Sequence, residues 1–257
     1  MDGTTVRLPD DEVHIWIIND ERLPSIVDVA QLSQVLTTEE WARHARFFFD
    51  KDKHQFLVTR AMVREVLSRY RPEIAPVSWR FENNAHGKPR IATEQCTGNL
   101  YFNLAHTSGL IVLALRSDPD IGIDVECFNR PMKEVTLYRS VLTTHELRTL
   151  QLLPLPMQSR RFYELWTLKE AYVKAVGQGL SIPPRSFGFE LTASANPILY
   201  LCGHLEPKLD LWRFRRAIIQ QRYCMALAFT AFDNRAEDDR VLIFEYPDGR
   251  RHQEMIF

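Results

Sequence analysis

The alternation of apolar and polar positions divides the chain into two successive sets of elements. Val13 to Ile18 (VHIWII) is a run of β-formers after a polar, proline-containing start, and predicts a strand. Thr37 followed by Glu40 has the spacing of a capping box, so a helix is expected to start there. From Glu39 to Tyr70 there is no Pro or Gly. Phe47, Phe48, Phe56, Val63, Val66 and Leu67 give one apolar side, and Arg43, Arg46, Arg60 and Arg64 cover the rest. This predicts two helices with a break near Asp50 to Lys53, ended by Pro72 and Pro76. A short strand is expected over Val77 to Phe81, a turn over Asn83 to Arg90, and two paired strands over Leu100–Leu104 and Leu110–Leu115.

Asp118-Pro119-Asp120 is a polar break, which suggests a boundary between residues 1–118 and 119–257. Beyond it, Ile121 to Glu126 (IGIDVE) reads as a strand. Glu134–Val141 and Thr144–Leu152 read as helices. Pro154 and Pro156 are expected to interrupt the chain before a long helix over Arg160–Val176, ended by Gly177. Phe187–Leu191, Leu209–Arg215 and Tyr223–Phe229 predict strands of a second sheet, and Arg240–Tyr246 a last extended segment. Each half thus runs strand, helices, antiparallel set, a coarse sign of duplication without a clean repeat.

Composition narrows the function. The 257 residues suit two small domains or one large one, and 45% hydrophobic with 25% charged is ordinary for a soluble globular protein. Lys and Arg number 32 against 33 Asp and Glu, a net charge of −1, which argues against general nucleic-acid binding. The longest stretch free of charged residues, Gln95 to Leu115, is broken by Gly and Asn and predicts no membrane span. The acidic start lacks an apolar leader, and Cys96, Cys127, Cys202 and Cys224 are widely spaced. A cytoplasmic protein with reduced thiols, without zinc or disulfides, is expected. There is no P-loop, no GxSxG elbow and no HExxH, and Gly177-Gln178-Gly179 lacks the third glycine of a dinucleotide fingerprint.

Three groups of residues can carry chemistry. On a strand, Asp124 and Glu126 emerge on one face while Val125 points to the other. Two adjacent carboxylates suit Mg²⁺; the plainer alternative is a solvated acidic edge. On a helix, Trp166, Glu170 and Lys174 share a face. Glu170 and Lys174 are either a surface pair or a third metal carboxylate next to a phosphate-binding cation. Trp166 is equally a core residue. In the first half, Lys88 sits in a Gly-Lys-Pro turn, His106 follows a strand, and Arg43 and Arg60 lie on the arginine-rich helices. Taken singly, each of these has an ordinary structural explanation.

Taken together, four segments in order carry a resemblance: HGKPR, FNLAHTSG, IGIDVE and FYELWTLKEAYVKAVGQGL. They resemble the motifs of 4′-phosphopantetheinyl transferases of the Sfp type, and ARFFFDKDKHQFLVTRAMVRE resembles that family's first helical region. The resemblance spans Thr38 to Ser186. It implies an α+β pseudo-dimer of two similar subdomains, each an antiparallel sheet packed with helices, with the active site at the junction. It implies transfer of the phosphopantetheine arm of coenzyme A to a serine of an apo acyl- or peptidyl-carrier protein, releasing adenosine 3′,5′-bisphosphate. The metal would be Mg²⁺ (or Mn²⁺), held by Asp124, Glu126 and Glu170.

The resemblance also assigns roles. Glu170 is the candidate base, directly or through a metal-bound water. Lys174 is expected to hold the pyrophosphate and meet the leaving group, with Asp124 completing the catalytic set. Lys88 is expected on the pyrophosphate side, His106 and Arg43 at the 3′-phosphate, and Lys169 in or behind the site. The backbone of His86 and Gly87 is expected near the adenine. Two positions depart from the family pattern: Ala105 stands where a serine is common, and Glu40 where some members carry lysine. Both bear on the 3′-phosphate, for which Arg60 or Arg64 is a possible substitute. The length resembles the monomeric, broad-specificity type, with partner choice expected in Cys127–Leu142 and Gln178–Ser186. Fatty-acid, polyketide and nonribosomal-peptide carriers all stay open.

Two other classes share part of this residue pattern. Mg²⁺-dependent nucleases also combine carboxylates with a lysine, but place acid and lysine two apart on a strand, whereas Glu170 and Lys174 are four apart on a helix. A module that binds coenzyme A or a carrier without transfer would not need the carboxylate set and Lys174.

Overall fold

A computed structural model describes residues 5–21, 29–95, 98–129, 135–191, 196–202, 211–231 and 240–251. In the first half come β1 (Glu12–Ile18), α1 (Val29–Ser33), α2 (Thr38–His44), α3 (Asp50–Tyr70), β2 (Phe81–Asn83), β3 (Pro89–Ile91), β4 (Tyr101–Thr107) and β5 (Leu110–Arg116). The second half has β6 (Ile121–Cys127), α4 (Val135–Val141), α5 (Thr144–Gln151), α6 (Leu155–Val176), β7 (Phe187–Glu190), β8 (Ile198–Leu201), β9 (Trp212–Ile219), β10 (Tyr223–Thr230) and β11 (Arg240–Glu245).

The two halves share a topology. Each has a first strand, a long helix, a short hairpin, and then a hairpin whose second strand pairs antiparallel with the first strand. The sheet orders are β1-β5-β4 and β6-β10-β9, with β2-β3 and β7-β8 as the short hairpins. This is the expected α+β pseudo-dimer. One strand crosses the expected 118/119 division: β11, from the end of the described chain, pairs parallel with β1 and completes the first sheet.

Strand alternation builds four layers. On β1, Trp16 and Ile18 face α3, where Val58, Met62 and Val66 meet them, while Val13, Ile15 and Ile17 face the second sheet. Ile121, Ile123 and Val125 of β6 and Met225 and Leu227 of β10 close this inter-sheet core. The outer face of β10, with Cys224, Ala226 and Ala228, packs on Leu168, Ala171 and Ala175 of α6. Strands covered on both sides read as unbroken apolar runs, which is why every residue of β5 is buried. The sheets are also joined by Asn103 of β4, whose Oδ1 accepts the Ile123 amide at 2.9 Å. Among the described residues no helix is long and apolar enough to cross a membrane.

Three local expectations are revised. The break before α3 lies at residues 45–49, and α3 opens on Asp50 and Asp52, whose charges suit a helix N-terminus. Helix α6 starts at Leu155 rather than Arg160. Pro154 is its cap and Pro156 lies in its first turn, where a missing amide costs nothing. Pro76–Ser78 form a 3-10 turn in place of a strand, because the buried Arg64 guanidinium takes the carbonyls of Pro76, Val77 and Trp79. Leu209 and Cys96 lie outside the described residues.

Helix α6 approaches β6 closely at one point. A Cβ on Gly122 would lie 2.1 Å from the Ala171 carbonyl oxygen and 2.4 Å from the Ala175 amide nitrogen. Glycine on the strand and alanines one turn apart on the helix let the two backbones touch. Gly122→Ala is expected to lower stability by about 1–3 kcal/mol or more through this overpacking, measured by urea denaturation. An unchanged midpoint would contradict the tight contact.

Candidate active site

The β6–α6 contact sets the chemistry. With Ile121, Ile123 and Val125 facing the inter-sheet core, Gly122, Asp124 and Glu126 face α6. Glu170 and Lys174, one turn apart, meet them from the helix. Lys174 Nζ lies 2.7 Å from Asp124 Oδ1 and also donates to the Ile123 carbonyl at 3.2 Å. Asp124 is nearly buried, and its Oδ2 has no hydrogen-bond partner. The Glu170 carboxyl is pushed above its ordinary range, first by burial, then by the negative charge of Asp124; Lys174 opposes this and Glu126 adds to it.

This donor set fits a divalent cation. An orphaned buried carboxylate oxygen of Asp124 stands beside Glu170, whose charge Asp124 and Glu126 disfavour, and all the donors are hard oxygens. The carboxylates are not closed around a point: among the described residues no group of three His, Cys, Asp or Glu side chains is drawn together as a ligand set. The Lys174 ammonium neutralises Asp124 at its Oδ1.

Beside this seam lies a cleft of about 390 Å³, within the usual range for small-ligand sites. Its walls include His86, Gly87, Lys88, Leu104, Trp166, Glu170, Lys174 and Pro184, so both halves contribute. The turn that carries His86 and Gly87 is built by Asn84. Its Oδ1 accepts the amides of His86 and Lys88, each at 2.9 Å, and its Nδ2 donates to the Gly177 carbonyl at 2.8 Å. Gly87 has φ +88°, which only glycine adopts without strain. Gly177, the left-handed cap of α6, is thereby tied to the first half.

The lysines assigned by resemblance have different surroundings. Lys88 Nζ donates to the carbonyls of Pro119 (3.2 Å), Ile121 (3.0 Å) and Ala175 (3.0 Å), so all three ammonium protons are taken. Burial is the main force pushing it down to about 8, with Asp120 and Asp118 opposing. In this arrangement Lys88 staples the halves together instead of offering a free cation. Lys169 lies on the cleft's lining but is 1% exposed. Its Nζ is bound to Glu146 (3.0 Å) and to the carbonyls of Pro184 (2.7 Å) and Phe187 (2.5 Å), so its charge is spent inside the protein and it stands behind the cleft, the second of its two expected places. Lys174 also lies on the cleft wall, and its ammonium meets the Asp124 carboxylate and the Ile123 carbonyl.

The 3′-phosphate candidates are spread out. His106, at the end of β4, reaches solvent. The surrounding protein mass, then the Lys174 charge, push its imidazole below the ordinary range, and Asp124 pulls the other way. Arg43 lies over the Phe56 ring at 5.5 Å and lines a separate shallow basin with Glu39, Ala42, Arg46 and Phe47. Arg64 is buried on Glu40 (3.0 Å), and Arg60 lies 3.7 Å from the same carboxylate. Glu40 also closes the capping box with Thr37. Arg64 is therefore structural and no substitute phosphate ligand.

Sequence reasoning missed Gly122, Asn84, Asn103 and Glu146. A glycine inside a strand was the signal for the first. Thr143 with Glu146 is a second capping box, the signal for the last.

Comparison with known proteins agrees with this geometry. Residues 120–228 match the family described as 4′-phosphopantetheinyl transferase superfamily, and residues 22–118 match 4′-phosphopantetheinyl transferase, N-terminal. The 4′-phosphopantetheinyl transferase HetI of Nostoc sp. is 32% identical over 68% of this chain and 73% of its own length. The 4′-phosphopantetheinyl transferase Sfp of Bacillus subtilis is 31% identical over 61% of this chain and 66% of its own. The human L-aminoadipate-semialdehyde dehydrogenase-phosphopantetheinyl transferase is 25% identical over 91% of this chain and 74% of its own. With both halves matched in order and the carboxylates and Lys174 gathered at one seam, the chain belongs to the 4′-phosphopantetheinyl transferase family.

Proposed function

We propose that the protein transfers the 4′-phosphopantetheine arm of coenzyme A to a serine of an apo carrier protein. The observation that carries this reading is the β6–α6 seam, where Asp124 with its orphaned oxygen, Glu170 and Lys174 meet beside a cleft built by both halves. The serine oxygen forms a bond to the phosphorus that bears the pantetheine arm. The bond from that phosphorus to the bridging diphosphate oxygen breaks, and adenosine 3′,5′-bisphosphate leaves.

Glu170 takes the serine proton, directly or through a water, on the carboxylate oxygen that holds no cation. A carboxyl pushed upward by burial and by Asp124 is a stronger base than an ordinary one. Lys174, on the cleft wall, meets the charge that develops on the leaving group. Asp124, Glu126 and Glu170 would hold Mg²⁺, which supplies charge neutralisation at the diphosphate. His86, Gly87 and the solvent-facing His106 line the path of the nucleotide, with Arg43 on a separate basin. A monomer in the cytoplasm serving fatty-acid, polyketide or nonribosomal-peptide carriers fits this reading.

Glu170→Gln is expected to lower kcat by about 10²–10⁴-fold with the fold retained. In the unaltered protein kcat falls as pH drops through the Glu170 pKa, because only the carboxylate accepts a proton. A pH–rate profile of the variant that kept this acid limb would assign the base elsewhere. Chelation of divalent cations is expected to stop transfer and Mg²⁺ to restore it; full activity in EDTA would remove the metal from the account.

Lys169 is expected to act through stability. Lys169→Met leaves Glu146 buried without its cation, at a cost of about 3–5 kcal/mol. In the folded fraction, the Kd for coenzyme A by calorimetry is expected to stay within about twofold. A tenfold loss of affinity at unchanged stability would return Lys169 to the binding site.

A further inference from the structure

The elbow between α5 and α6 exposes apolar side chains in a cluster. Leu152 is 81% exposed, Leu155 80% and Met157 53%. Leu152 caps the C-terminus of α5 and Leu155 opens α6, so they share one ridge. Single exposed leucines need no explanation, but a contiguous patch marks an interaction surface.

The ridge is also basic, in a chain whose net charge is −1. Residues 147–161 include Arg148, Arg160 and Arg161 and no acidic residue. Arg148 is exposed one helical turn before Leu152. The nearly buried Glu164 answers three guanidinium groups at once: Arg216 at 2.8 Å, Arg161 at 3.1 Å and Arg160 at 3.5 Å. A surplus of positive charge remains on the outer side.

The ridge leads to the catalytic seam. The Arg160 guanidinium lies 5.0 Å from the centre of the Phe128 ring, and Phe128 follows the end of β6, two residues after Glu126. Along α6, Arg160 stands about 15 Å from Glu170. An interface of standard size, about 800 Å² per partner, spans that distance.

We propose that this ridge docks the acceptor, an acidic folded carrier protein that offers apolar side chains to Leu152, Leu155 and Met157 and carboxylates to the arginines. Its serine then lies over the β6–α6 seam. The inference rests on the transfer reading above. Charge selects the occupant: an acidic surface neutralises the arginines. A second copy of this chain pairing ridge to ridge would set like charge against like.

The test is steady-state transfer with the full chain, coenzyme A and an acidic apo carrier protein. The variants are Leu152→Glu/Leu155→Glu and Arg148→Glu, none of which touches the cleft; their folding is checked by Tm. For the double variant the carrier KM is expected to rise about tenfold or more, with kcat and the coenzyme A KM unchanged. Arg148→Glu is expected to raise the carrier KM and flatten its dependence on salt. A carrier KM within about twofold of the unaltered protein in both variants would overturn the assignment. So would a parallel rise in the coenzyme A KM, which would place the ridge in the cleft's own support. Loss of a dimer by the double variant, with carrier KM unchanged, would give the ridge to a second copy. If the unaltered protein transfers nothing, the transfer reading fails first and this one with it.

Discussion

At Gly122 the backbones of β6 and α6 come so close that one added methyl group would sit 2.1 Å from a helix carbonyl. Everything chemical in the molecule depends on that approach. It fixes the helix against the strand, so residues on the facing sides are held at bonding distance without long flexible reaches. Asp124 lies two positions beyond Gly122 on the same strand face. Glu170 precedes Ala171, and Lys174 precedes Ala175, on the helix. The seam therefore brings two carboxylates and a cation together by backbone packing.

Charge burial explains the rest of the arrangement. Three lysines surround the cleft, and two of them serve the fold. Lys88 bridges the turn of the first half, the linker at residues 119–121 and the end of α6 through three carbonyl oxygens. Lys169 ties α6 to the strand-leading segment at Pro184 and Phe187 and to Glu146, which itself accepts the Thr143 and Phe189 amides. Buried charges of this kind do not add much net stability, but they are costly to break, and so they fix geometry. Lys174 differs: it binds one oxygen of Asp124 and the Ile123 carbonyl, and it remains half-buried on the cleft wall.

The strands and the faces that meet at the seam were legible because their physics is local. Period-two alternation in IGIDVE placed Asp124 and Glu126 together, and helical spacing placed Glu170 by Lys174. The capping box at Thr37 marked α2 correctly. What sequence could not supply was long-range. The return of β11 to β1 crosses more than two hundred residues, and nothing in RVLIFE names its partner. Lys88 and Lys169 look like free surface cations until the fold closes carbonyl cages around them. Arg64 looked available for phosphate until the Pro76–Trp79 carbonyls turned inward to take its guanidinium. Pro154 and Pro156 open α6 instead of interrupting the chain before it, because proline breaks a helix only from its second turn onward.

The most direct test of the account is intact-protein mass spectrometry of an apo carrier protein incubated with this protein, coenzyme A and Mg²⁺. The account predicts a gain of one phosphopantetheine group on the carrier, abolished when Asp124 is replaced by Ala in a protein that still folds. A carrier whose mass never changes, or an Asp124→Ala variant that transfers as fast as the unaltered protein, would contradict the claim that the β6–α6 seam is the catalytic centre.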